Sequence, residues 1–240
     1  MADKETRTLT ADRLERMFEA FKKTRNTPNG YDLSWEHCIG EFARAFSNPQ
    51  KAASDEKTVD YLSLHLGFYL ASWGMLRGSS GLSKCDYKVH APVVKTILGY
   101  SDLFGKDLQD FLNAQTRERF EALRKDVVEY CRQFCNAKDY KASDTLVSKI
   151  ILGTFGITPA YDRYFKKSVI DYGITTGTYN IQSLEKLADY FSSHHAAEVA
   201  EMTKTMQKQF PLYTRARVID ALLYTIGIED EDEKKENKSR

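Results

Sequence analysis

The chain has 240 residues, 42% of them hydrophobic and 29% charged, enough apolar material for a buried core and too much for a disordered polymer. Lys and Arg number 35 against 34 Asp and Glu, a net charge of +1. That balance excludes a histone-like protein or a polybasic membrane-surface binder acting through bulk charge, and leaves room for a local basic face.

The opening MADKETRTLTADRL contains no apolar h-region, so a secretory signal is not expected. The most apolar stretch, 61–76, lies between Asp60 and Arg77 and is shorter than the ~20 residues of a membrane span. A soluble, cytoplasmic protein with no membrane partner is the expectation. Its four cysteines, Cys38, Cys85, Cys131 and Cys135, then read as free thiols in a reducing compartment.

Helical periodicity runs through the whole chain. Thr10 caps a helix that carries Leu14, Met17, Phe18 and Phe21 at i, i+3, i+4 and i+7 and ends near Arg25. After the Asn26 to Gly30 break a second helix follows Ser34, with Ile39, Phe42, Ala43 and Phe46 on one face. Residues 58–76 are apolar nearly all round, the mark of a central helix buried on most sides, and Gly78, Ser79, Ser80 and Gly81 are expected to end it. Pro92 opens a helix to Leu98, residues 108–112 and 116–134 keep the pattern, and Ser143 caps a helix that reaches Thr154 or Phe155. Another is expected to start at Ala160 or Tyr161, and 181–191, 196–209 and 214–226 complete the set. No segment alternates as a strand does. The expected fold is all-α, with about nine or ten helices and no repeat. Residues 1–228 read as a single all-helical domain, with any sub-division near 137–142. Residues 229–240 hold six acids against four bases and read as a disordered, solvated tail.

Metal chemistry finds little support. Cys131 and Cys135 stand at i, i+4, and the pairs His37–Cys38 and His194–His195 are adjacent, but no second pair at ligand spacing completes a tetrahedral site. No metal and no cofactor is expected. The 78–81 turn lacks the lysine of a phosphate loop, and neither a nucleophile elbow nor an H-E-x-x-H pair occurs.

Two stretches could carry chemistry. In 73–81, Trp73, Arg77, Ser79 and Ser80 surround a Gly-rich turn that could bring donors to a phosphate or a sugar; the alternative is a plain helix cap with Trp73 in the core. In 143–167, a capped apolar helix leads through Gly156 and Pro159 to Asp162 at the start of a basic, aromatic helix. A carboxylate there faces the positive end of the helix dipole, which favours its ionised form. The alternative is that Asp162 only stabilises its own helix.

An apolar helix, a Gly-Pro turn, an Asp and then basic residues over 149–167 resembles the catalytic Asp loop of the helix-hairpin-helix DNA glycosylase superfamily. The superfamily's Gly-rich hairpin is replaced here by Asp139, Tyr140, Lys141, Ala142, Ser143 and Asp144. The resemblance implies an all-α glycosylase fold with Asp162 as the catalytic carboxylate. The Schiff-base lysine of bifunctional members falls on Ser143 or Asp144, which implies a monofunctional hydrolase. Together with 73–81 the chain resembles the bacterial anti-phage glycosylases that excise glucosylated hydroxymethylcytosine.

The function so implied is a monomeric DNA glycosylase that flips a modified base out of double-stranded DNA and leaves an abasic site. Trp73, Arg77, Ser79 and Ser80 would line the base pocket. Lys141, Ser143, Thr145, Arg163, Lys166 and Lys167 would contact phosphates, joined by Lys149 from a helix surface. Two rivals stand beside it: an inert helical interaction module, and a small-molecule or nucleotide binder using Arg77, Ser79 and Ser80. An Asp162 on an open convex surface would favour the module. An Asp162 at the floor of a cleft that also receives 73–81 would favour the enzyme.

Overall fold

A computed structural model describes residues 7–77, 81–133 and 143–239. Among them are eleven α-helices, joined in places by short 3-10 turns, and no strand. The helices are α1 (Ala11–Arg25), α2 (Leu33–Phe46), α3 (Pro49–Ser54), α4 (Glu56–Ser72), α5 (Ala91–Leu98), α6 (Ala114–Gln133), α7 (Asp144–Phe155), α8 (Arg163–Asp171), α9 (Ile181–His194), α10 (Ala196–Gln207) and α11 (Arg215–Ser239). The fold is all-α. The short α3, which Asn48 caps and Pro49 opens, was not anticipated, and 108–112 is a 3-10 turn.

Local chemistry sets most helix starts. The Thr10, Asp55, Ser143, Asp162 and Asn180 side chains each accept a backbone N–H from the first turn of α1, α4, α7, α8 and α9, satisfying a donor that the helix leaves open. α7 is buried from Leu146 through Phe155 and packs against α2, α4 and α6, so it is the axis around which the core forms. That core is one continuous cluster reaching from Leu9 to Ile226.

Three boundaries differ from expectation. α4 stops at Ser72, because Gly74 takes the left-handed conformation (φ +73°) and the Met75 N–H reaches back to the Leu70 carbonyl. A glycine is the residue that adopts this turn without strain, so α4 is capped well before 78–81. The chain between α7 and α8 stays extended, and α8 begins only after Asp162. The acidic tail, expected to be disordered, is helical to Ser239. Asp230 is 1% exposed and accepts from Arg7 and Arg13, both at 2.7 Å, while Glu229 pairs with Arg13 at 2.9 Å and Arg16 at 3.1 Å. The first acids of the tail face arginines of α1 and of the segment before it, and this pairing carries α11 onward as helix. The sub-division site 137–142 lies outside the described residues.

Candidate active site

The starts of α7 and α8, the end of α4, the loop before α2 and the middle of α11 enclose a cleft of about 880 Å³, in the range of pockets for drug-sized molecules. Asp162 lines it. The extended backbone at Asp162 (φ −81°, ψ −178°) lets one carboxylate oxygen accept the N–H groups of Tyr164 and Phe165, each at 3.0 Å. Burial raises the Asp162 pKa above the ordinary carboxylate value, against the pull of the Phe165 amide, Lys149, the Tyr164 amide and Arg163. The helix-start position alone implies the opposite sign; desolvation outweighs it because the carboxyl is enclosed by protein.

Lys149 is not on a helix surface. It is 7% exposed and lines the same cleft, its ammonium donating to the Trp73 carbonyl at 2.7 Å and lying 5.7 Å from the Trp73 ring. α7 is wrapped on every side, so its one lysine has to be buried, and the open carbonyl at the end of α4 supplies its partner. Burial lowers the Lys149 pKa, while Asp162 and Asp220 counter that effect.

The deeper wall was not foreseen. Arg217 of α11 is 1% exposed and bridges two carboxylates, Asp32 at 2.8 Å and Asp220 at 3.0 Å. Burial works against its charge, but Tyr213, Asp220 and Asp32 hold its pKa above the ordinary value. Its guanidinium lies 5.0 Å from the Trp73 ring centre and 5.3 Å from those of Phe21 and Trp35. Asp220 also accepts the Ala160 N–H at 2.9 Å, which fixes the extended segment ahead of Asp162. Burial pushes Asp220 up to about 7, with Arg217 working against it. Asp32 is raised as well, by burial opposed by Arg217. The sequence signal for this wall was a charged pair, Arg217 and Asp220, inside an otherwise apolar helical run.

Of the expected site residues, Trp73, Arg77, Ser143, Thr145, Lys149, Asp162 and Arg163 all line the cleft. Trp73 combines a cap position with a place on the cleft wall. It is the C-cap of α4, packed on the core beside Tyr69 (5.0 Å between rings), and it also faces the cleft, with the edge of Tyr31 at 6.3 Å. Arg77 is exposed and lies against Gly74, where an added Cβ would meet its guanidinium at 3.0 Å. Ser143 caps α7, and Thr145 donates to the Tyr161 carbonyl at 2.8 Å. Arg163 is exposed, 2.7 Å from the Tyr164 hydroxyl and 3.3 Å from Glu231. Lys166 and Lys167 lie outside the cleft lining, held by Asp144 (3.3 Å) and by the Gly227 carbonyl (3.4 Å). Ser79, Ser80 and Lys141 fall outside the described residues.

Among the described residues no three His, Cys, Asp or Glu side chains gather as a metal site, and no helix is long and apolar enough to cross a membrane. The chain matches no protein-family model, no curated protein and no solved structure. The functional reading therefore rests on the cleft itself.

Proposed function

We propose that the protein is a monofunctional DNA glycosylase that hydrolyses the N-glycosidic bond of a bulky modified base, with glucosylated hydroxymethylcytosine of phage DNA as the substrate to test first. The observation that carries this reading is one cleft lined by Asp162, whose carboxylate accepts two backbone N–H groups, together with Trp73, Lys149 and Arg77.

An N-glycosidic bond breaks through a cationic, oxocarbenium-like sugar. A carboxylate fixed in a cleft that excludes water stabilises that charge and orients or deprotonates the attacking water. Asp162 has one oxygen anchored by two amides, which leaves the other for this work. The cleft has room for a base carrying a hexose. The hydroxyls of such a sugar call for donors beside an aromatic face, which Arg77 and Trp73 supply. Exposed Arg77 and Arg163 at the rim suit phosphates, which position a duplex without reading its sequence. An open convex setting for Asp162, as an inert interaction module would have, does not fit this enclosure. A small-molecule binder would use the same cleft with no need of DNA.

The test is incubation with duplexes carrying cytosine, hydroxymethylcytosine or its glucosylated form, followed by detection of abasic sites. Asp162→Asn should lower the rate by at least ~10²-fold with folding intact. Wild-type turnover by a folded Asn variant would end the assignment of Asp162.

A further inference from the structure

The segment that carries Asp162 into the cleft is neither helix nor strand. From Gly156 to Tyr161 it is buried throughout, and Pro159 brings no N–H. Polar backbone groups buried in such a segment have no ladder to join, so side chains must serve them or they stay unpaired at a cost. The Thr214 hydroxyl donates to the Gly156 carbonyl at 2.6 Å, and the Ala160 N–H donates to Asp220 at 2.9 Å.

Tyr161, the residue before Asp162, is held most completely. Its N–H donates to the Ser148 hydroxyl at 2.8 Å, its carbonyl accepts from the Thr145 hydroxyl at 2.8 Å, and its own hydroxyl lies 3.0 Å from that of Ser183. Ser148 is fully buried and gives its one proton to the Asp144 carbonyl at 2.6 Å. Its oxygen is thereby left as an acceptor, the polarity that the Tyr161 N–H requires. Thr145 and Ser148 stand three residues apart on α7 and so share one face of it.

We propose that Thr145 and Ser148 are positioning residues for catalysis: the two hydroxyls fix the peptide groups on either side of Tyr161 and so set where the Asp162 carboxylate stands against the reacting sugar. This inference rests on the glycosylase reading. It gives Thr145 a different part from a phosphate contact, because its one proton is committed to the Tyr161 carbonyl.

Asp162 is anchored from both directions along the chain. Downstream, the Tyr164 and Phe165 amides fix its carboxylate to the start of α8. Upstream, the Thr145 hydroxyl holds the peptide group that joins Tyr161 to Asp162, and Ser148 holds the one before it. Both belong to α7, the most enclosed helix of the fold, so the carboxylate is referenced to the part of the core that yields least. Without the hydroxyls Asp162 keeps its cap on α8 and loses that reference. Displacements of about 1 Å in such groups cost on the order of 10²-fold in rate.

The test is single-turnover base release, at saturating enzyme, from a duplex carrying glucosylated hydroxymethylcytosine, with duplex affinity and melting temperature measured for each variant. Thr145→Val, close in shape and without the hydroxyl, and Ser148→Ala should each slow release about 10- to 10²-fold. Both should bind the duplex within about twofold of wild type, and Thr145→Ser, which restores the donor, should recover most of the rate. In an Asp162→Asn background Thr145→Val should change the residual rate by less than about threefold, because a residue that acts through Asp162 has nothing left to position. Thr154→Val is the control. Thr154 is fully buried on the same helix and donates to the Ile150 carbonyl at 2.9 Å, so its loss should lower the melting temperature and leave release within about threefold. If Ser148→Ala does not fold, the partly exposed Thr145 decides alone. A Thr145→Val that releases base at the wild-type rate, one that loses duplex affinity in place of rate, an undiminished effect in the Asp162→Asn background, or an equal loss in Thr154→Val overturns the positioning role and leaves the glycosylase reading intact. A folded wild type that releases no base from duplexes carrying cytosine, hydroxymethylcytosine or its glucosylated form overturns the glycosylase reading and the positioning role with it.

Discussion

A single methyl group at Gly227 should disturb both stability and the site. Gly227 lies on the face of α11 that packs against α8, and a Cβ there would stand 2.5 Å from the Tyr164 carbonyl oxygen and 2.9 Å from its carbonyl carbon. Ordinary contact begins near 3.4 Å, and the obstacle is backbone, so no rotamer change relieves it. The two helices must separate. On an exposed helix surface Gly→Ala would gain about 1 kcal/mol of helix propensity. Overpacking of a tight interface costs about 1 to 3 kcal/mol or more, and because rigid backbone is what must move, the upper end applies and the net change is destabilising. For a chain of this size that corresponds to a melting temperature lower by about 2 to 8 °C. Tyr164 follows Asp162 by two residues and its N–H anchors the Asp162 carboxylate, so the same shift moves that carboxylate. Displacements of about 1 Å in such groups cost on the order of 10²-fold in rate. Thermal melts and base-release assays of Gly227→Ala measure both effects. An Ala variant as stable and as active as the wild type would refute the packing argument and the link from α11 to Asp162.

Three further outcomes are expected. Arg217→Met leaves Asp32 and Asp220 buried without their shared cation and should cost about 3 to 5 kcal/mol in denaturant unfolding, with much of it recovered on adding Asp32→Asn and Asp220→Asn. His90, 2% exposed and 2.8 Å from the Tyr130 hydroxyl, is lowered by burial to about 4; the unfolded chain takes up the proton first, so stability should be lost as pH falls from 6.5 towards 4, by up to about 3 kcal/mol, and His90→Gln should flatten that acid limb. Borohydride should trap no covalent enzyme–DNA adduct, since Ser143 and Asp144 hold no amine and the Lys149 ammonium is committed to the Trp73 carbonyl; an adduct that disappears in Lys149→Met would identify Lys149 as a nucleophile.

Local information made most of the helices legible. Apolar residues at helical spacing placed α1, α2 and α9 to within a few residues, because each buries one continuous stripe, α7 stood out as a capped, almost wholly apolar run, and the Thr10 and Ser143 caps marked the starts of α1 and α7 through bonds spanning only three residues. Asp162 stood out for the same reason, since its role as a cap depends on neighbours two and three positions away. Where α4 ends was misjudged, because Gly74 and the 78–81 glycines carry the same local signal and packing chose the first.

The wall of the cleft depends on pairings that sequence spacing does not reveal. A lone Arg, Lys or Asp in an apolar helix reads as a surface residue, because burying a charge without a partner is costly. The groups that offset this cost lie far along the chain: Asp32 is 185 residues from Arg217, the Trp73 carbonyl 76 from Lys149, and the Ala160 amide 60 from Asp220. The same distance concealed the ordered start of the acidic tail, whose Asp230 meets Arg13 across 217 residues. The sequence by itself determined the helices, their caps and the helix-start position of Asp162. Only the tertiary structure decided which charges are buried together, because desolvation is offset by partners that folding alone brings within reach.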